Sequence, residues 1–189
     1  MSRLLLHACC GVCSAYVPEL LIPHYEVAVY YENSNLYPSA EFERRREAAE
    51  IMAASFGLPL VEAPYRPVDW FKAVRGHAQD RERGARCGLC IRFRLDRTFV
   101  YAKAHDFEWV ATTLSVSRRK NSNQINALGQ ELAAFNAVNF LGRDWKKNRG
   151  EDLSQARAKA AGIYRQNYCG CVYSHTSRIT QHATSDSTD

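Results

Sequence analysis

Seven cysteines carry most of the chemical capacity of this chain: Cys9, Cys10, Cys13, Cys87, Cys90, Cys169 and Cys171. None stands alone; they form a C-C-x-x-C, a C-x-x-C and a C-x-C cluster, far apart along the chain. An odd count in clusters argues against a disulfide framework, and cysteines used as small core residues would scatter singly. A two-residue gap instead lets two thiolates converge on one ion or one cluster edge, so metal ligation is the expected chemistry, ahead of dithiol redox exchange. One four-coordinate site uses four of the seven and leaves three. The vicinal pair Cys9–Cys10 chelates a single ion poorly, because neighbouring side chains diverge, and is better suited to feeding two adjacent centres. Two arrangements follow. In one, a four-thiolate iron–sulfur cluster sits beside a mononuclear metal held by three thiolates, with the open position of a catalytic site. In the other, two zincs share thiolates in a structural knuckle of a nucleic-acid binder, since C-x-x-C serves both metals.

The elements that must position these thiols follow from the hydrophobic pattern. Residues 3–8 read as a buried strand, and 25–31, 58–62 and 109–114 as further strands, that at 58–62 short. Helices are predicted from Gly11 to just before Pro23, over 40–56, briefly over 66–72, from about Cys87 through Tyr101, over 121–136 and over 153–166. Ser39 is the expected cap of the second of these. Alternating strands and helices predict a single-domain, Rossmann-like α/β fold with a parallel sheet covered on both faces, spanning residues 1–174, followed by a polar tail over 175–189. Ligands in such folds bind outside the carboxyl ends of the strands, and the first cysteine cluster directly follows strand one. Neither G-x-G-x-x-G nor a P-loop occupies that turn; His7-Ala8-Cys9-Cys10-Gly11-Val12-Cys13 stands there, which disfavours ATP chemistry.

Composition sets the frame. The chain has 189 residues, 46% hydrophobic and 24% charged, which suits one globular domain and excludes a disordered or fibrous class. No unbroken apolar run approaches a membrane span, and the apolar run near the start is too short for a secretory signal, so a cytoplasmic location is expected. The net charge of +5 is compatible with an RNA partner. Arg118, Arg119 and Lys120 follow strand four with few acids nearby in sequence and read as RNA phosphate contacts. Asn33, Asn35 and Tyr37 follow strand two and could read or stack on an unpaired base, although such a turn also forms for purely structural reasons. Arg44-Arg45-Arg46, flanked by acids, reads as a solvated helix face. His7 reads as a core residue beside the cysteines, and Gly170 as the hinge of a tight turn. His7, Tyr168 and Tyr173 lie near the clusters in sequence as possible proton donors, none singled out.

The segments LLLHACCGVCS (4–14), YYENSNLYPSAEFERRREA (30–48), CGLCIRFRLDRTFVYAKAHDF (87–107), TTLSVSRRKN (112–121) and YRQNYCGCVYS (164–174) resemble, together and in order, the QueH family of cobalamin-independent epoxyqueuosine reductases. The resemblance implies a nucleotide-hydrolase-like fold, a [4Fe–4S] cluster and an adjacent mononuclear iron, with zinc an alternative occupant of three thiolates. It implies removal of the epoxide oxygen of epoxyqueuosine in tRNA, giving queuosine, with an external low-potential electron donor. Some family members carry an acid where this chain has Cys13, which points Cys13 to the mononuclear metal. The division expected on this basis gives the cluster Cys10, Cys87, Cys90 and Cys171, and the open metal site Cys9, Cys13 and Cys169. The competing function is a zinc-stabilised nucleic-acid-binding module without turnover; a thiol-redox protein and a tRNA-sulfurating enzyme rank below it.

Overall fold

The computed structural model describes residues 1–176. Five parallel strands form one sheet in the order β3-β2-β1-β4-β5, with β1 over Ser2–His7, β2 over Tyr25–Tyr31, β3 over Leu60–Glu62, β4 over Trp109–Thr112 and β5 over Asn139–Phe140. The central strand β1 carries Leu4, Leu5 and Leu6, all fully buried, because helices cover both faces of the sheet. Its register pairs His7 with Tyr30 on one side and Thr112 on the other, so three strand ends finish level. The order reverses direction at β1, which opens a crevice between the turns after β1 and β4.

Helices α1 (Gly11–Ser14), α3 (Ser39–Ser55) and α7 (Gly150–Ala160) pack together, while α5 (Ala85–Ala104) packs along α6 (Ser122–Asn136) and carries α4 (Pro67–Ala73) beside it. Gly11 makes the first of these groups possible: a Cβ there would lie 2.5 Å from the carbonyl oxygen of Ala48.

The expected strands and helices are present, with informative differences. The helix expected from Gly11 to Pro23 is two pieces, α1 and α2 (Val17–Leu21). Pro18, in the first turn of α2, lacks an N–H and its ring would clash with the carbonyl four residues back, so the chain must restart there. Ser39 begins α3 without capping it; Pro38 holds the cap position. Strand four stops at Thr112, and Thr113–Val116 forms a 3₁₀ turn whose start is bonded by the Thr112 hydroxyl, which accepts from Leu114 N at 3.2 Å. The last helix ends at Ala160 rather than at 166, with Gly162 at φ 63° just beyond it, and an irregular segment carries the chain to Cys169. The two-residue edge strand β5 was not legible in the pattern. Of the polar tail expected over 175–189, residues from 177 onward lie outside the described residues. No described helix is long and apolar enough to cross a membrane.

Candidate metal centre

The first cluster is built by the end of β1. The backbone continues the sheet for one residue, with Ala8 N donating to Tyr30 O at 2.8 Å, and then turns as Cys9 N donates to the Thr113 hydroxyl at 3.1 Å. Cys10 is the N-cap of α1, and its sulfur accepts from Cys13 N at 3.4 Å. That turn brings the sulfurs of Cys9, Cys10 and Cys13 within 4.8 Å of one another, with Cys9 Sγ 3.9 Å from Cys10 Sγ. Three sulfurs bound to one tetrahedral ion at the usual metal–sulfur length stand roughly 3.8 Å apart. The donor set therefore fits a metal.

Its protonation agrees. Donation by the Cys10 and Cys13 thiols holds Cys9 well below the usual thiol range, over the opposing cost of burial, with Arg94 and Thr113 helping. Cys13 donates to Cys10 and pulls it down, yet donation by Cys10 to Cys9, together with burial, pushes Cys10 up to about 12. Cys13, donating to both neighbours and buried, lies well above the ordinary range. One thiolate solvated by two thiols is an arrangement in which a cation can take the place of the shared protons.

The second group comes from distant chain. Cys87, Cys90 and Arg94 recur at helical spacing on α5 and share a face. Cys87 Sγ accepts from Arg83 N at 3.2 Å, and its thiol is pushed up by burial. Cys90 packs with Cys171 around the buried Trp70, and burial pushes its thiol up to about 11, against opposing effects of Arg94 and the Trp70 indole. Cys169 Sγ accepts from Lys120 Nζ at 3.7 Å, and the charge of Cys169 raises the lysine's hold on its proton. Cys169 also raises the thiols of Cys87 and Cys90 by repulsion, which places these sulfurs in one electrostatic neighbourhood. All seven cysteines are free.

The turn Cys169-Gly170-Cys171 is held by side chains rather than by regular structure. Arg45 donates to Cys169 O at 3.0 Å, to Tyr168 O at 3.1 Å and to Glu41 Oε1 at 2.7 Å. Gly170 O accepts from Tyr37 N at 2.8 Å. Gly170 sits at φ 121°, and a Cβ on it would come 2.3 Å from Leu36 Cδ2 and 2.9 Å from Arg45 Nη1. Only glycine fits this close passage. The expectation of a solvated arginine triplet therefore holds for Arg44 and Arg46 but not for Arg45, which is buried with Glu41. Glu41 also accepts from the Tyr164 hydroxyl at 2.8 Å, tying the segment before Cys169 to α3.

Cys9, Cys10, Cys13, Cys87 and Cys169 line one cleft of about 510 Å³, whereas Cys90 and Cys171 lie outside its lining. Arg45, Arg83, Arg94, Arg119 and Lys120 also line it, against Glu82 and Glu151, so the cleft is cationic. The residues expected to meet RNA are divided by the fold. Asn33 and Asn35 line the cleft, but the Asn33 amide is committed to Ala8 O at 2.9 Å and accepts from Arg94. Tyr37 is exposed, with its ring edge on His175. Arg119 lines the cleft, and Lys120 faces Cys169. Arg118 is not short of acids as its sequence surroundings suggested, because Glu151 and Asp152 pair with it from α7.

His7 is sealed: Nδ1 is 2.8 Å from the Thr112 hydroxyl, Nε2 is 3.1 Å from Glu32 O, and burial, then Arg94, push its pKa down to about 3. It is a neutral residue of the buried framework. Tyr168 lines the cleft, but its hydroxyl donates to Tyr37 O and burial pushes it up to about 12. Sequence reasoning missed Arg45, Arg94, Trp70 and Gln166, whose Nε2 donates to Cys10 Sγ at 2.9 Å. Only Arg94 had a readable signal, seven residues after Cys87 on one helix face.

A profile of the family described as epoxyqueuosine reductase QueH matches residues 4–177. The chain belongs to the QueH family. Among QueH relatives, it is 35% identical to that of Staphylococcus aureus, with 90% of this chain and 75% of that one covered. It is 36% identical to that of Streptococcus pyogenes, covering 90% and 69%, and 34% identical to that of Thermotoga maritima, covering 97% and 95%. The QueH fold is shared more widely. A predicted subunit of tRNA methyltransferase from Methanocaldococcus jannaschii superposes with a TM-score of 0.53 at 14% identity, over 81% of this chain and 76% of that one.

Proposed function

We propose that this cleft performs the two-electron deoxygenation of epoxyqueuosine in tRNA: both C–O bonds of the epoxide break, a C=C bond forms between its carbons, and the oxygen leaves as water with two protons. As a QueH chain the protein is an epoxyqueuosine reductase, an oxidoreductase of queuosine formation. The observation that carries the mechanism is the buried trio of thiols within 4.8 Å at the wall of a cationic cleft. With an open-sited metal and a [4Fe–4S] cluster bound, the site would have Lewis acidity toward the epoxide oxygen and one-electron reducing power. The electrons come from an external low-potential donor.

The chain's own residues do the rest. Arg94 and Lys120 bring fixed positive charge to the cleft, lowering the cost of negative charge on a departing oxygen. Trp70 and Val74 pack against the buried Cys171 and the partly buried Cys90. Arg45 holds Cys169 in place through its carbonyl.

Two divisions of the thiolates compete, and they differ by one exchange. Cys9 and Cys13 belong to the lone metal in both, and Cys87, Cys90 and Cys171 to the cluster. The division expected from the sequence assigns Cys10 to the cluster and Cys169 to the lone metal. The short distances among Cys9, Cys10 and Cys13 support the reverse. Iron, zinc and acid-labile sulfide per chain, measured on protein purified without oxygen, test the reading; about four sulfides and four to five irons are expected. Zinc without sulfide, persisting after anaerobic reconstitution, would leave a zinc-bearing RNA-binding domain. Cys10→Ser and Cys169→Ser then settle the exchange: whichever loses sulfide removes a cluster ligand, and whichever loses only the extra metal removes a ligand of the open site. Activity is read on tRNA carrying epoxyqueuosine with a chemical reductant.

A further inference from the structure

Nitrogen donors from outside the cysteine motifs reach three of the thiols. Cys87 Sγ accepts from Arg83 N at 3.2 Å, Cys10 Sγ from Gln166 Nε2 at 2.9 Å and Cys169 Sγ from Lys120 Nζ at 3.7 Å. They come from separate places: the loop before α5, the irregular segment beyond α7 and the loop before α6. Arg83 takes φ 72° at its contact, a left-handed conformation uncommon outside glycine. The Gln166 amide joins Cys13 N, which stands 3.4 Å from the same sulfur, so Cys10 receives two N–H donors. Lys120 is drawn to sulfur as well: Glu151 of the same cleft pairs with Arg118 rather than with Lys120. Burial opposes the lysine's charge, and the charge of Cys169 outweighs it.

The chemistry of an N–H donor facing sulfur says what these side chains do. A thiol sulfur is a weak acceptor, whereas a hydrogen bond to an ionised acceptor is about twice as strong as a neutral one. Binding a metal removes the thiol protons, and an electron entering a thiolate-bound iron centre adds negative charge that its sulfurs share. Donors fixed at those sulfurs therefore favour the reduced state over the oxidised one. A cation does so more strongly than a neutral amide. We propose that Lys120 and Gln166 are positioning residues that, through the sulfurs of Cys169 and Cys10, raise the reduction potential of the iron–sulfur centre, with Lys120 the larger contributor. Either division of the thiolates puts one of these two sulfurs on the cluster and the other on the neighbouring metal, so both donors act close to it. This deepens the reductase reading and rests on it for the presence of a redox centre. It assigns Gln166 a role and gives Lys120 a second one, toward the thiolate as well as toward the departing oxygen.

The test is a spectroelectrochemical titration of metal-loaded enzyme purified without oxygen, read at the visible absorbance of the cluster with no tRNA present. Lys120→Met should shift the one-electron equilibrium about tenfold toward the oxidised state, a potential ~59 mV more negative. Gln166→Leu should shift it the same way by about threefold, the smaller effect of a neutral donor. Lys120→Arg keeps the charge and should stay within about twofold of wild type. Iron and sulfide should match wild type in all three. Unmoved potentials in Lys120→Met and Gln166→Leu would overturn the proposal. Loss of iron and sulfide from both would overturn it too, by making these side chains supports of the ligands rather than settings of the potential; if only one of them loads, its potential decides. A wild-type enzyme whose potential responds to these variants but which does not deoxygenate epoxyqueuosine tRNA would sink the reductase reading and leave the tuning role standing. Turnover of that tRNA with unmoved potentials would do the reverse.

Discussion

Cys9, Cys10 and Cys13 sit at the tip of the central strand, and their sulfurs meet through one turn of backbone, with Cys10 capping the helix that carries Cys13. Cys169 and Cys171 border the same neighbourhood from an irregular segment beyond α7, held by a buried arginine, its glutamate and a glycine whose backbone strains any other residue. The first site is written mostly locally: extended backbone, a tight turn and a five-residue motif bring the thiols together, with Thr113 bonding the Cys9 amide. The second exists only because α3 presents Arg45 to two carbonyls from 124 and 123 residues away. A metal site divided between two such supports should therefore fail in two distinguishable ways, by losing a ligand or by losing a clamp.

The largest effect is expected from the local site. Cys13→Ala should abolish turnover and the extra metal while sparing the visible absorbance and the acid-labile sulfide of the cluster; loss of that absorbance together with the metal would move Cys13 to the cluster. Next comes the clamp. Arg45→Met leaves Glu41 buried with its strongest partner gone, and breaking a buried pair from one side costs about 3–5 kcal/mol. The melting temperature should drop sharply, and whichever centre Cys169 serves should be lost first: sulfide and iron together if it serves the cluster, the extra metal alone if it serves the open site. Arg45→Lys should rescue little, because a single ammonium cannot span a carboxylate and two carbonyls as a guanidinium fork does. If Arg45→Met bound metal like wild type, the contrast between the two supports would collapse.

Gly170→Ala sharpens the same point with a smaller change. Its φ of 121° and the 2.3 Å approach to Leu36 predict a loss of about 1–3 kcal/mol together with iron loss. Gly57→Ala is the control, since it too has positive φ but meets nothing within 4 Å, so it should cost about 1–2 kcal/mol with iron retained. Denaturant unfolding and iron content on both variants separate backbone strain from loss of the site. The smallest effect is expected at Arg92–Glu131, an exposed pair joining α5 to α6. Glu131→Gln should shift stability by less than about 1 kcal/mol and leave metal content alone.

How much could be read in advance follows the same line. The strand at 25–31, the strand that begins at Trp109, the alternation that makes the sheet parallel and the placement of Cys9 after strand one are all local patterns, and they were legible. The break before Pro18 was also in the sequence, but helical spacing on both sides concealed it. Arg45 was not legible, because a run of arginines among glutamates looks the same whether one of them faces solvent or two buried carbonyls. The pairing of Arg118 was not legible for the complementary reason: its acids, Glu151 and Asp152, are remote in sequence and adjacent in space.

By itself the sequence determined the kind of chemistry, through thiols at chelating intervals, and the kind of scaffold, through the periods of its apolar residues. Those are properties of neighbouring residues, set by rise and turn per residue. Only the tertiary structure decided which thiols share a wall of the cleft, that Lys120 faces Cys169 and that Arg45 reaches the carbonyls of Tyr168 and Cys169. Distances between residues far apart in the chain are fixed by how helices pack on the sheet, and no spacing within a motif contains them.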